Sequence, residues 1–266
     1  MTNDRPATFA KLVIRVGTGS LSFATTRLER VVYEDYPLNS GISLAANLRK
    51  ALQNSEVLSA NYQRVLVLAD APMLMIPSDL FVESQAEVLY RHAITPKEQT
   101  EVKFSVLPDL NCVVVFAVNK DLTVVLKDHY GNLQYTHVAV PVWHHLHQRS
   151  YTGLHSKLYA YFHGRRLEVF SFAENRFKFC NQFVANNPSD ALYYMLSVWK
   201  ELGLAPEHDE LYMVGNLADG EHLSEEARKF VKRVFVINPA GEFNRAPITQ
   251  IKDIPYDLVT LFIKGR

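Results

Sequence analysis

The chain has 266 residues, enough for one large domain or two of ordinary size, and 48% of them are hydrophobic. Its 28 basic and 28 acidic residues balance, which argues against general binding to nucleic acid or to acidic membranes. Residues 1–10 lack the apolar core of a signal peptide, and no apolar run approaches the roughly 18 residues that span a bilayer. We therefore expect a cytoplasmic protein.

Three predicted strands open the chain, and a helix and a fourth strand follow. The strands cover residues 11–16, 21–25, 31–36 and 64–68. The second alternates apolar and polar residues, the period of a half-buried strand, whereas the fourth is almost wholly apolar, as in strands covered on both faces. Ser43 is the predicted N-cap of the helix, because Leu44, Leu48 and Leu52 recur behind it at helical spacing.

A structured segment leads to a second unit that repeats this order. The segment is predicted to contain helices over 83–92, 119–128 and 142–148 and strands over 111–117 and 134–141. The second unit is predicted to have strands over 157–162, 165–173, 176–184, 210–214 and 234–238, and helices over 189–202 and 224–232. Asn187 is a predicted N-cap, with Pro188 at the first helical position, where a missing N–H costs nothing. We place the domain boundary at residue 150, giving halves of 1–150, with the extra segment, and 151–266.

The two halves match without a gap. Residues 11–70 fall on residues 157–216, an offset of 146, and the hydrophobic periods and turn positions coincide although few identities survive. A period this long is too large for a solenoid and indicates two related domains in tandem. We expect both halves to have the same strand order and Trp199 to be largely buried.

This element order resembles a known superfamily. Three meandering strands, a crossover helix and a parallel fourth strand form a ribonuclease-H-like half, and two halves in tandem resemble the actin-like ATPases. The chain is similar to divergent members such as PilM and the cytoplasmic part of GspL. It is identified as a member of an uncharacterised bacterial family with this α/β fold, described only as a domain of unknown function. The resemblance covers residues 9–266.

The resemblance also implies a place for ATP, in the cleft between the halves. In the superfamily each half offers a strand–turn–strand hairpin to the phosphates, glycines allow close approach, and carboxylates order Mg²⁺ and water. The corresponding residues here would be Gly17, Thr18, Gly19 and Ser20 in the first hairpin, His163, Gly164 and Arg165 in the second, and Gly215 and Asn216 at the adenosine turn.

The acidic residue of each hairpin is missing. Arg15 or Val16 stands where the first Asp is expected, and the second hairpin also lacks its Asp. Arg15, Arg165 and Arg166 could bind an anion without metal, or they could be ordinary solvent-facing strand residues. We expect Arg15 to lie beside the cleft, facing the turn at His163.

Other chemistry finds little support in the sequence. A ribonuclease-H-type nuclease needs several carboxylates, and Asp70, marked as a turn residue by the following Ala-Pro, is the one suitable acid. Seven of the ten histidines lie between residues 129 and 163, but they lack neighbouring metal ligands, so we predict no metal site. Cys112 and Cys180 lie in apolar runs and are predicted to be buried small hydrophobes.

The sequence therefore favours a non-catalytic assembly or adaptor protein on a degenerate actin-like scaffold. Its expected partner is a protein, a second copy of the chain being one candidate, with no catalytic residue and no nucleic acid. The alternative is an enzyme or nucleotide-dependent switch that binds ATP between the halves.

Overall fold

The computed structural model describes residues 11–28, 30–95, 99–217 and 219–264. Its contacts divide the chain into two compact units. The first runs to Val106 and includes Val113–Val138, whereas Leu107–Cys112 belongs to the second unit together with all residues from Ala139 onward. The predicted boundary at residue 150 lies inside the second of these units.

The first unit is built on a five-stranded sheet of order β3-β2-β1-β4-β8. Its strands are β1 (Leu12–Val16), β2 (Ser20–Arg27), β3 (Arg30–Pro37), β4 (Val65–Ala69) and β8 (Leu133–His137). Between β4 and β8 the chain forms three strands of a separate sheet, β5 (Met73–Pro77), β6 (Thr100–Leu107) and β7 (Cys112–Asn119). Its helices are α1 (Leu44–Asn54), α2 (Ala86–Ala93) and α3 (Lys120–His129). Helices α1 and α3 cover one face of this sheet, where Leu48, Leu126 and Ile14 share a buried core.

The second unit has a sheet of order β11-β10-β9-β12-β13. Its strands are β9 (Lys157–His163), β10 (Arg166–Ala173), β11 (Arg176–Val184), β12 (Glu210–Gly215) and β13 (Arg233–Val236). Its helices are α4 (Ala139–Ser150), α5 (Pro188–Glu201), α6 (Gly220–Arg228), α7 (Pro239–Glu242) and α8 (Tyr256–Lys264). As predicted, Trp199 is largely buried, with 5% of its surface exposed, and it packs with the core of α5, β9 and β12.

The same strand order in the two sheets confirms the internal duplication. Its register is also preserved, because Val13 pairs with Ala24 in the first sheet and Tyr159 pairs with Phe170 in the second, at the predicted offset. Strands β1 and β4 are parallel, as are β9 and β12. Each pair is joined by a crossover that contains α1 or α5, so the two helices are equivalent elements.

Local sequence signals explain how both crossover helices begin. Ser43 accepts a hydrogen bond from the N–H of Ala46, and Asn187 accepts one from the N–H of Asp190. Each side chain satisfies a backbone donor that has no partner within its helix. Pro188 occupies the first turn of α5, as predicted.

A three-stranded sheet of order β5-β7-β6 interrupts the first unit. Helix α2 packs on it through Tyr90, whose hydroxyl donates to the carbonyl of Pro72 at 2.9 Å, and Val113 and Val115 face the same core. In the described part of the second unit, α6 follows the turn after β12, without an equivalent sheet. This insertion therefore accounts for the extra segment that the sequence predicted.

Two predictions of individual elements need correction, and several elements were not predicted. The strand predicted over 134–141 ends at His137, and residues from Ala139 belong to α4, because a proline such as Pro141 is tolerated in the first turn of a helix. The helix predicted over 224–232 runs from Gly220 to Arg228. The elements β5, β6, α7 and α8 were not predicted, although Val102, Phe104 and Val106 of β6 alternate with polar residues at the period of a strand. No helix among the described residues is long and apolar enough to cross a membrane.

Candidate functional site

The first hairpin is a tight turn between β1 and β2. The N–H of Gly17 donates to the carbonyl of Ser20 at 2.9 Å, and the carbonyl of Gly19 accepts from the N–H of Leu38 at 3.0 Å. A Cβ at Gly17 would lie 2.8 Å from Nη1 of Arg15 and 3.0 Å from the Ser20 carbonyl, whereas one at Gly19 would meet nothing within 4 Å. Close approach therefore favours glycine at position 17, and Thr18 between them is exposed.

Arg15 and Asp70 form a buried ion pair behind this hairpin. Nη2 of Arg15 lies 3.6 Å from Oδ2 of Asp70, and the two side chains are 9% and 3% exposed. The N–H of Asp70 donates to the carbonyl of Val16 at 3.0 Å, which fixes the turn after β4 against the end of β1. The suggestion that Arg15 is an ordinary solvent-facing residue is therefore wrong. The guanidinium of Arg15 would repel a divalent cation, and its positive charge offsets the negative charge of the Asp70 carboxylate.

The second hairpin joins β9 to β10 through Gly164, whose φ of 61° lies in the left-handed region that suits glycine. The carbonyl of Arg165 accepts from the N–H of Ala185 at 3.0 Å, and its guanidinium donates to the side-chain carbonyl of Asn186. Arg165 thus ties the hairpin to the loop that precedes α5.

A buried polar cluster lies beneath the second hairpin. Nε2 of His163 is 3.0 Å from Oε1 of Glu168, and both side chains are almost fully buried. The ring of Tyr161 stacks on His163 with 4.7 Å between centroids, and its hydroxyl donates to Oδ2 of Asp257 at 2.8 Å. Glu168 and Asp257 were not predicted from the sequence, although the lone acid inside the apolar run of β10 was a signal for Glu168.

The turn after β12 brings Gly215 and Asn216 to the end of β9. The N–H of Asn216 donates to the carbonyl of Phe162 at 2.9 Å. A Cβ at Gly215 would lie 2.2 Å from that same oxygen, and the φ of 99° is one that other residues rarely adopt. The structure therefore places these two predicted residues beside His163, and only glycine fits the first position.

A cavity of about 880 Å³ opens beside this turn, within the second unit. Gly215 and Asn216 form one side, α6 contributes Glu221 and Arg228, and Phe235 comes from β13. The mixture of apolar, amide and charged groups can hold a planar polar ligand.

The predicted site residues belong to different units. Gly17, Thr18, Gly19 and Ser20 lie in the first, and His163–Arg165, Gly215 and Asn216 lie in the second. A nucleotide shared by the two hairpins, with Arg15 facing the turn at His163, stays a prediction.

The histidines near residue 145 take part in separate contacts. Nε2 of His145 lies 3.0 Å from Oε1 of Glu242, to which Nη1 of Arg149 donates at 2.7 Å, and His147 lies 2.7 Å from the carbonyl of Glu174. The hydrogen bond with His145 and the charge of Arg149 lower the pKa of Glu242, and burial lowers the pKa of His144. Among the described residues, no group of three or more His, Cys, Asp or Glu side chains could hold a metal ion.

Comparisons with known proteins agree on fold. Residues 3–234 match the model of a family described as protein of unknown function (DUF3822). The chain is similar to a protein from Bacteroides thetaiotaomicron with actin-like ATPase fold and unknown function, whose crystal structure is known. The sequences are 30% identical, the TM-score is 0.81, and the match covers 90% of this chain and 95% of that one. PilM, solved in the PilM–PilN type IV pilus biogenesis complex, is 12% identical; its TM-score is 0.55, with 97% and 98% of the chains covered. A search of curated proteins gave no match.

Proposed function

The chain belongs to the family of proteins of unknown function DUF3822, and we propose that it is a non-catalytic assembly or adaptor protein. It has the actin-like ATPase fold, built from two ribonuclease-H-like halves. In this role the scaffold binds a protein partner and does not hydrolyse ATP. In this proposal the protein works in the bacterial cytoplasm.

The ion pair between Arg15 and Asp70 is the observation that carries the proposal. Hydrolysis of ATP in this fold requires carboxylates that bind Mg²⁺ and orient water. Here the acid next to the first hairpin is engaged by a buried guanidinium. At the second hairpin, Glu168 is buried in contact with His163. Both arrangements oppose the binding of a divalent cation, because a cation would have to displace a positively charged or hydrogen-bonded group.

A protein partner is the second part of the proposal. PilM, which shares this fold, was solved in a complex with PilN. At 12% identity this likeness supports the scaffold and carries no assignment of surface or partner. The partner could equally be a second copy of this chain, which a measurement of molar mass in solution would reveal.

The alternative function is binding of ATP, as an enzyme or as a nucleotide-dependent switch. The cavity of about 880 Å³ beside Gly215 and Asn216 favours this alternative, since it occupies the place where the fold resemblance puts adenosine. Phosphates would then meet Gly17–Ser20, and His163–Arg165 on the second hairpin.

One set of assays separates the two functions. We expect the purified protein to show no hydrolysis of ATP above the background of a Gly17→Val, Gly164→Val double variant. We also expect no thermal shift with ATP or ADP at millimolar concentration, with or without Mg²⁺. A ligand at 100 times its dissociation constant would stabilise the protein by about 2.7 kcal/mol. Hydrolysis that disappears in the double variant would overturn the adaptor proposal.

A further inference from the structure

The last strand of the second sheet has an open edge. Strand β13 pairs with β12 on one side, and no other described strand pairs with its opposite side. The N–H of Ile237 donates to the carbonyl of Met213 at 2.9 Å, so every second residue of β13 directs its backbone groups toward β12. The backbone groups of Val234 and Val236 therefore point outward, where they can pair with another strand.

Two contacts show how far this open edge extends. The N–H of Lys232 donates to the carbonyl of Pro206 at 3.0 Å, so a loop covers the edge just before β13 begins. Nη2 of Arg228 donates to the carbonyl of Val234 at 3.3 Å, a long hydrogen bond. A carbonyl oxygen has two lone pairs, so this one can also accept from a backbone donor. The open edge therefore coincides with β13 itself.

A row of aromatic rings crosses the second sheet and ends at this edge. Phe170, Tyr159, Tyr212 and Phe235 are direct cross-strand neighbours. Their successive ring centroids are 5.5, 5.5 and 5.0 Å apart. Phe170 and Tyr159 are fully buried, whereas Phe235 is 39% exposed. An added strand with an aromatic residue opposite Phe235 would extend this row.

The equivalent edge of the first sheet differs and serves as an internal comparison. Strand β8 takes the place of β13 there. The hydroxyl of Ser105, in the inserted sheet, donates to the carbonyl of Tyr135 in β8 at 3.3 Å. The exposed residue Gln134 occupies the register position that Phe235 has in β13. The first sheet thus has a polar edge that another part of the chain approaches, and the second has an apolar one.

A second copy of the chain fits the open edge in an antiparallel register centred on Phe235. In this register Val234 of each copy lies opposite Val236 of the other, and each such pair exchanges both backbone hydrogen bonds. The two Phe235 rings lie opposite each other at a non-hydrogen-bonded position, where side chains come closest. The aromatic row then continues from one sheet into the other.

The charges of the chain also permit this pairing. Arg233, which forms an ion pair with Glu210, falls opposite Ile237 of the second copy. Like charges are therefore not opposed across the new strand pair. The 28 acidic and 28 basic residues leave no net charge to repel another copy. The edge is self-complementary, as the interface of a two-fold dimer must be.

We propose that β13 pairs with β13 of a second copy of this chain, which joins the two second-unit sheets across a two-fold axis. This inference rests on the proposed adaptor function, with a second copy as the partner, and it names the surface that binds that copy. Pairing gives the outward backbone groups of Val234 and Val236 their partners and covers the exposed ring of Phe235.

Sedimentation equilibrium of the full chain, over a dilution series, tests the proposal. We expect the wild type to form a dimer that dissociates on dilution. Phe235→Lys should raise the dissociation constant roughly tenfold or more, because the two-fold axis places the new ammonium groups opposite each other. Val236→Pro removes an outward N–H and should also weaken the dimer. Gln134→Lys, the matched control at the equivalent edge, should leave the dissociation constant unchanged.

Oxidative cross-linking with diamide tests the register. In a non-hydrogen-bonded antiparallel pair the Cα atoms lie about 4.5 Å apart, within the range of a disulfide. We therefore expect Phe235→Cys to form a covalent dimer and Gln134→Cys to form none. Circular dichroism and the melting temperature establish that each variant is folded.

Three results would each overturn the proposed dimer. These are a wild type that stays monomeric throughout the dilution series, a dimer that is insensitive to both Phe235→Lys and Val236→Pro, and equal cross-linking at positions 134 and 235. The absence of catalysis is tested separately by the hydrolysis assay. Failure of the dimer can therefore be distinguished from failure of the adaptor function.

Discussion

Replacing Leu28 by Asn should stabilise the protein, because the native residue is strained and makes little contact. Its φ of 48° lies in the left-handed region, where an L-residue with a bulky side chain loses roughly 1–2 kcal/mol and Asn much less. Since 92% of the leucine is exposed, almost no packing is lost on substitution. We expect the free energy of unfolding to rise by about 1 kcal/mol and the melting temperature by roughly 2–4 °C.

The Leu28→Ala variant is the matched control for this experiment. It removes the same exposed apolar surface, but Ala lacks the short polar side chain with which Asn can form a local hydrogen bond, so the cost of the left-handed conformation remains. Urea unfolding, followed by circular dichroism, would compare the three proteins. If Leu28→Asn is no more stable than Leu28→Ala, the strain assigned to this turn is absent.

Three further outcomes follow from the second unit. Trp199→Ala should lower the free energy of unfolding by roughly 3–5 kcal/mol, because the large side chain is buried. Tyr193→Ala on the same helix should change it by less than about 0.5 kcal/mol. Similar losses in the two variants would contradict the assigned core. Gly215→Ala should destabilise the protein by more than about 1 kcal/mol, because the positive φ and the nearby Phe162 carbonyl leave no room for a Cβ. A melting temperature equal to that of the wild type would refute this. The pKa of Glu242 is lowered, first by its hydrogen bond with His145, so its stabilising effect should be present above the ordinary glutamate value of 4.5 and lost as the pH falls below it. The stability difference between the wild type and Glu242→Gln should therefore shrink on acidification, and a constant difference from pH 7 to about pH 3 would contradict the assigned contacts.

The duplicated architecture was predictable because hydrophobic periods encode which residues face the core. The gapless match of residues 11–70 with 157–216 predicted equivalent strands, and β2 and β10 begin and end at equivalent residues. Helix caps at Ser43 and Asn187 were equally predictable, since a cap acts through residues three positions away. Of the inserted sheet, only β7 was predicted, as the apolar run over 111–117. The strands β5 and β6 and the helix α8 were not found.

The candidate site was only partly predictable for a related reason. The glycines at positions 17, 164 and 215 occupy turns, and the sequence located all three. The partner of Arg15 was not predicted, because Asp70 follows a different strand and meets the arginine only when β1 and β4 pair. A nucleotide at these turns remains a prediction for the assays to test.

The sequence by itself determined the fold class, the repeat and the positions of the turns, since each depends on neighbours close in the chain. The tertiary structure alone decided that Arg15 is buried against Asp70, that Glu168 meets His163, and that Leu28 stays exposed in a left-handed turn. The physical reason is that charge pairing and burial depend on which strands lie side by side. The hydrophobic period shows which face of a strand is buried, but it does not show which polar groups meet there.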